Sequence, residues 1–435
     1  YLISALLIGL VAVGVVLLLS TKKSSPRSPI PGGIVTSSGI VVGENATVGS
    51  ISIGLYFGIP YGRTTAGDGR FAMPVALDTF PRDGTFEAYE HGEPCSQLRG
   101  GNIVGSEDCL RLSIWAPLAP SADTPKKTVV VVLTGDLYQT TSSSDYDWSE
   151  LAATGDHVVV APNHRVGVMG FLIIPGVPEG VALEDLMQAL DWIKRNVASF
   201  HGYPNRVVAL GLGSGAGMLT MSIMRSNFFY KAILLGLSPR SIISVNNGGN
   251  SKIYQQALAE SLGCNADRED TRLECLRSAT QEALLGASVS NALYPLRFVP
   301  PKSTRKLTVE AIRGMEMIIG DAMDIGDALF EDYIVPFAQS RNAKTTFDVV
   351  GAMYTFIKNE KMPSWVGEPI IAQKFPSNST VKDFVIGVMF CASMNFLREL
   401  HSLNATGYHF LLTKSEQLFQ PALNMTDISQ FFNTG

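Results

Sequence analysis

Residues 204–217 read Pro-Asn-Arg-Val-Val-Ala-Leu-Gly-Leu-Gly-Ser-Gly-Ala-Gly. An apolar strand runs straight into a glycine-rich turn and then a helix. That order of elements makes a nucleophile elbow, where G-x-S-x-G lifts a serine hydroxyl onto a strained apex and a nearby base activates it for acyl transfer. Gly211-Leu212-Gly213-Ser214-Gly215 fits the frame, but the apex is Gly213. A glycine brings no side chain to attack a carbonyl. Ser214 comes one place later, at the start of the helix, and is read as a small packing residue with its hydroxyl turned away from any substrate. The histidines offer little: His164 and His201 lie in loops next to the elbow and His409 on a candidate strand, none with an evident acid partner.

The elements that must hold this turn are legible around it. Thr128–Leu133, His157–Ala161, Val207–Gly211, Ala232–Gly236, Glu316–Gly320 and Tyr408–Leu412 are short, bounded, continuously apolar runs, as strands buried on both faces should be. Leu183, Leu186, Met187, Leu190, Ile193 and Val197 recur at helical spacing, with Asp191, Lys194 and Arg195 outside. Strand–helix alternation predicts an α/β fold with an open, mostly parallel sheet. The 435 residues are 46% hydrophobic and 17% charged, enough for a large domain with a substantial core. The net charge of −5 gives no nucleic-acid footprint, so no nucleic-acid partner is expected, nor any metal or cofactor.

Tyr1 to Leu19 are almost wholly apolar, and about 20 such residues span a bilayer as a helix. The run is longer than a signal-peptide core of about 7–15 residues and lacks a clear small-residue cleavage site. Residues 1–20 are therefore expected to form a transmembrane helix. Residues 21–35, rich in Ser, Pro, Gly and Lys, are expected to form a juxtamembrane stalk, and 36–435 an ectodomain. Lys22 and Lys23 just after the span would favour a cytoplasmic C-terminal side. Asn45, Asn378, Asn404 and Asn424 oppose that, because each opens an N-x-[ST] sequon for lumenal glycosylation. Cys95 lies close to Cys109 in sequence and Cys264 close to Cys275, as in short disulfide loops; four free buried thiols is the alternative. Cys391 is left over. The balance predicts type II topology at the plasma membrane, with the C-terminal domain outside.

Several stretches together resemble the cholinesterase/type-B carboxylesterase family of α/β-hydrolases. They are Tyr56-Phe57-Gly58-Ile59-Pro60-Tyr61-Gly62 with Arg70-Phe71 and Pro74; Glu107-Asp108-Cys109-Leu110-Arg111-Leu112-Ser113-Ile114-Trp115; Asn163-His164-Arg165-Val166-Gly167 with Gly170-Phe171-Leu172; Asp185 with Ala189-Leu190 and Trp192; and Phe200-His201-Gly202-Tyr203-Pro204-Asn205-Arg206-Val207. The resemblance is colinear from about residue 35 to 240 and weaker beyond. It implies an α/β-hydrolase fold, disulfides Cys95–Cys109 and Cys264–Cys275, and structural ion pairs Arg70–Glu107 and Arg165–Asp185. It makes Cys391 a half-cystine whose partner lies past Gly435.

The same resemblance locates the family's catalytic parts. The nucleophile falls on Gly213, the acid on Ile325 and the base near Asn424, all degenerate. The oxyanion turn falls on Thr134-Gly135-Asp136-Leu137, where its tight glycine turn is gone and Asp136 would set a negative charge near a developing oxyanion. No tryptophan between Cys95 and Cys109 stands in for the choline-binding one. These positions resemble the family's non-catalytic adhesion branch, and the apolar span ahead of the domain makes the likeness neurotactin-like. The expectation is an inactive receptor domain that binds an extracellular protein, such as an immunoglobulin-domain adhesion protein. The alternatives are an esterase with relocated catalytic residues and a pseudo-esterase that holds a small apolar ligand. Leu397-Arg398-Glu399, a tripeptide that recurs among adhesion members, is read instead as a turn of amphipathic helix with Phe396 and Leu400.

Overall fold

The computed structural model describes residues 28–236 apart from positions 82, 120 and 122, residues 256–289 apart from 267, and parts of 312–322 and 393–412. In chain order its strands are β1 (Ser28–Pro29), β2 (Ile34–Thr36), β3 (Gly39–Val42), β4 (Glu44–Val48), β5 (Ile51–Pro60), β6 (Thr85–Glu87), β7 (Gln97–Arg99), β8 (Asn102–Val104), β9 (Arg111–Pro117), β10 (Lys127–Leu133), β11 (Val158–Pro162), β12 (Gly202–Gly213), β13 (Lys231–Gly236), β14 (Glu316–Ala322) and β15 (Thr406–Leu412). Ten of them form one sheet in the order β1-β4-β5-β9-β11-β10-β12-β13-β14-β15. Each pair from β11 to β15 runs parallel. Each pair from β1 to β11 runs antiparallel.

The sheet is thus mixed, where the apolar runs predicted a mostly parallel one. The difference has a physical source. Strands buried on both faces read as unbroken apolar runs, and the central parallel strands are of that kind. Val129, Val131 and Leu133 of β10 enter the cluster on one face, and Val130 and Val132 the cluster on the other. In β12, Val207 and Ala209 pack on the first face, Leu210 and Leu212 on the second. The antiparallel half carries no such signal. β4 reads Glu-Asn-Ala-Thr-Val and is only half-buried, and β5 is interrupted by Gly54 and Gly58.

The folded region also reaches further back than the predicted stalk allows. Ser28–Pro29 pair with Asn45 and Glu44, and Ile34–Thr36 pair with β3. Proline is tolerated at Pro29 because β1 is an edge strand. Only residues 21–27 of the predicted stalk remain outside the described residues, together with the span 1–20. No helix among the described residues is long and apolar enough to cross a membrane.

The helix Val181–Asn196 buries Leu183, Leu186, Leu190 and Ile193 and turns Asp191, Lys194 and Arg195 outward. It also buries a charge. Asp185 accepts from Arg165 at three points: Nε to Oδ2 at 2.8 Å, Nη2 to Oδ1 at 2.7 Å, and the backbone N–H to Oδ2 at 3.1 Å. This bidentate pair ties the loop after β11 to the helix, and both side chains are almost wholly covered. Arg70 makes the second such anchor. Its Nε and Nη2 donate to the Glu107 carboxylate, and Nη1 donates to the carbonyls of Arg277 and Ala279 at the end of the helix Glu269–Ser278. Cys275 on that helix is bonded to Cys264, and Cys95 is bonded to Cys109 two residues after Glu107. Phe396 and Leu400 are buried and Arg398 exposed, as on one turn of amphipathic helix.

Removing one member of a buried pair strands the other charge, which costs about 3–5 kcal/mol. Arg165→Met should lower unfolding stability by that amount in urea titration. Adding Asp185→Leu should recover part of the loss. Recovery stays partial because the Arg165 backbone N–H then loses its acceptor, at about 1–3 kcal/mol.

Candidate functional site

β12 ends at Gly213, and the helix Ser214–Arg225 begins at the next residue. Gly213 holds φ 58° and ψ −130°, a conformation natural to glycine and strained for any other residue. The elbow geometry is therefore present without a nucleophile. A Cβ added at Gly213 would lie 2.2 Å from the carbonyl oxygen of Gly135. The N–H of the residue after the apex donates to the oxyanion in working elbows. Here Ser214 N–H donates to the same Gly135 oxygen at 2.9 Å. One main-chain carbonyl crowds the nucleophile's place and occupies the oxyanion donor.

That carbonyl is aimed by the turn that follows β10. Asp136 and Thr140 close a tight loop, with Asp136 N–H donating to Thr140 O at 3.0 Å and Gln139 N–H to Asp136 O at 2.8 Å. Leu137 and Tyr138 both take left-handed conformations, φ 46° and 63°. Tyr138 is buried edge-on against Phe171, its ring centroid 5.8 Å away, and its carbonyl accepts from Gly167 N–H at 2.7 Å. Its hydroxyl lies over Gly217 of the elbow helix, where a Cβ would collide with it at 2.0 Å. Gln97 in the Cys95–Cys109 loop clamps the far end of the turn. Its Nε2 donates to Thr141 O at 2.9 Å and its Oε1 accepts from Thr141 N–H at 3.1 Å. Arg99 grips Asp145 at both carboxylate oxygens, 2.7 and 3.2 Å.

These contacts correct the expectation for Asp136. Its side chain is exposed, and the atom that meets the oxyanion donor is the carbonyl of Gly135, not the Asp136 carboxylate. Gly135 falls within the aligned oxyanion turn, whereas no motif marks Tyr138 or Gln97. The available signal was Leu137, a residue with a side chain at a glycine position of a turn that holds it at a left-handed angle. Ser214 is buried, its Oγ packed 2.6 Å from where a Gly135 Cβ would sit. Ile325, Asn424, Asn378, Asn404 and Cys391 lie outside the described residues. Asn45 sits half-buried on β4 with its side-chain oxygen covered. No group of three or more His, Cys, Asp or Glu side chains among the described residues could hold a metal ion.

His164 is fully buried, and its Nδ1 donates to the Arg165 carbonyl at 2.8 Å. Burial pushes its pKa below the usual imidazole value, opposed by that hydrogen bond and by Asp185. His201 caps a short helix, with Nε2 2.6 Å from Thr124 O. The structure thus gives both loop histidines main-chain partners.

A mixed sheet whose central parallel strand turns through a glycine elbow into a helix is the α/β-hydrolase architecture. Its family assignment follows from the sequence relatives. The carboxylesterase family model matches residues 32–324. The chain is 31% identical over 274 residues to cholinesterase from Mus musculus, covering 58% of this chain and 44% of the mouse protein. It is 30% identical over 283 residues to carboxylesterase 4A from Bos taurus, covering 60% and 50%, and equally identical over 283 residues to acetylcholinesterase 4 from Caenorhabditis briggsae, covering 60% and 46%. The chain belongs to the carboxylesterase family. It spans about half the length of the curated relatives it matches.

Gly213→Ser should lower stability by several kcal/mol, since strained φ/ψ alone costs of order 1–3 kcal/mol and the Gly135 carbonyl must also move. It should produce no turnover of a short-chain aryl ester, measured beside the parent protein. A second outcome concerns pH. Folded His164 takes a proton at lower pH than the unfolded chain does, so stability is full above about pH 6.5 and falls as pH drops toward the folded value. Thermal melts over roughly pH 7 to 5 should show this decline, and His164→Gln should flatten part of it.

Proposed function

We propose that this chain is a catalytically inactive, neurotactin-like adhesion or receptor domain of the carboxylesterase family. In this reading residues 1–20 anchor it in the plasma membrane with type II topology, and the domain outside recognises another extracellular protein. The observation that carries the proposal is the Gly135 carbonyl bonded to Ser214 N–H beneath a glycine apex. Acyl transfer through this elbow needs a nucleophile and free oxyanion donors, and here neither is offered. Ile325 and Asn424 at the aligned acid and base positions support the same reading.

What the chain keeps is what a rigid surface needs: the Arg165–Asp185 and Arg70–Glu107 pairs, two disulfide loops and a core packed on both sheet faces. Protein recognition buries roughly 1,200–2,000 Å² and requires no pocket. The immunoglobulin-domain adhesion proteins and a second copy of this chain are the first partners to try. Glycans at Asn45, Asn378 and Asn404 would mark surface outside the footprint.

The test pairs two measurements on the full chain. Cells that display it should aggregate with cells displaying a candidate partner, and the purified protein should not hydrolyse a short-chain aryl ester above the buffer rate. Hydrolysis abolished by Ser214→Ala would instead establish an esterase with relocated residues. Tight binding of a small apolar molecule, with no protein partner in the display screen, would establish a ligand-binding pseudo-esterase.

A further inference from the structure

Strand direction fixes which end of the sheet the chain enters. β1 runs antiparallel to β4, with Ser28 opposite Asn45 and Pro29 opposite Glu44. The chain therefore reaches Ser28 from the side toward which β4 runs, the side of Val48. β4 then turns into β5 there, with Val48 opposite Ile51. β9 ends at the same side, since its Pro117 faces Ile53, and Leu118 N–H donates to Ser52 O at 3.1 Å. The parallel strands β10, β12 and β13 begin at this end and finish at the other, where Gly213 forms the elbow. Entry and elbow are at opposite ends of the sheet.

The tether is short. Only residues 21–27 separate the apolar segment 1–20 from Ser28, and they can reach at most about 25 Å. Ile51 lies three residues along from Gly54, the partner of Asn45, which is about 10 Å further toward the entry end. No more than about 15 Å is left between that hairpin tip and the bilayer surface.

The entry end is also furnished for a lipid surface. Ile51 and Leu118 are exposed there, and so are Tyr203 and Tyr230 at the starts of β12 and β13. Lys126, beside the start of β10, and Arg206 on β12 are exposed among them. Tyrosine rings and long cationic side chains suit the membrane–water interface. The elbow end carries instead the turn Asp136–Thr140 and the β7–β8 hairpin, which Gln97 and Arg99 pin to Thr141 and Asp145 just past that turn.

We infer that the domain rests with its strand-entry end against its own bilayer and presents its elbow end outward. This deepens the membrane-anchored reading above and rests on it. The protein recognition site then lies at the elbow end, and the hairpin tip at Gly49–Ser50 is the part nearest lipid.

The experiment uses the full chain in phosphatidylcholine vesicles that contain a nitroxide-headgroup lipid, in a Cys391→Ser background. A fluorophore is attached through Ser50→Cys at the hairpin tip or through Asn102→Cys on the β7–β8 hairpin. The Ser50 label should be quenched several-fold more strongly than the Asn102 label. Equal quenching, or stronger quenching at Asn102, with the protein retained through alkaline carbonate extraction, would overturn the orientation and leave the anchor standing. Release of the protein by carbonate would overturn the anchor and the orientation together.

Discussion

Two parallel strands that end side by side must send their turns into the same space. Leu133 of β10 stands opposite Gly211 of β12, so the loop after β10 and the elbow after β12 meet directly. What fills that meeting point decides what the elbow can do. In an esterase of this architecture it holds main-chain N–H groups around an oxyanion. In this chain a carbonyl oxygen fills it, held by the very N–H that would otherwise stabilise negative charge. A dipole reversed at such a point opposes the charge that acyl transfer develops. The reversal comes from the backbone, so no single side chain can correct it.

The supports of the fold are independent of that contact. Arg165 and Asp185 lock the loop after β11 to the helix Val181–Asn196. Arg70 joins Glu107 in one disulfide loop to the helix that carries Cys275 of the other. None of these groups needs a serine at the apex. Buried charges of this kind are costly to disrupt, at about 3–5 kcal/mol for a lost partner.

How much of this could be read in the chain depends on which physical effect wrote it. β10 to β13 were legible because burial on both faces forces Val-Val-Val-Val and Ala-Ile-Leu-Leu runs. The Cys95–Cys109 bond and the Arg165–Asp185 pair were legible through family motifs, since their side chains carry the interaction. β4 was not, because Glu44–Val48 owes its strand to neighbours on both sides and not to its own composition. The missing serine was plain in Gly213. The carbonyl in its place was invisible, because a peptide plane's direction is set by the turn and leaves no mark on residue type. The Asp136 side chain is exposed, and the contact is made by the peptide bond before it.

The same contrast accounts for where strain sits. A nucleophile elbow stores strain by holding serine at angles that cost of order 1–3 kcal/mol. With glycine at φ 58° and ψ −130°, the apex keeps its shape at little cost. Strain has moved one strand over, to Leu137 and Tyr138, two adjacent left-handed residues with side chains. Burial of the Tyr138 ring against Phe171, the Gly167 hydrogen bond and the Gln97 clamp hold them there. Strain kept at a site marks a geometry that the surrounding contacts over-determine. In this chain the over-determined geometry is a turn that points a carbonyl at the elbow, and the apex beneath it has become the relaxed member of the pair.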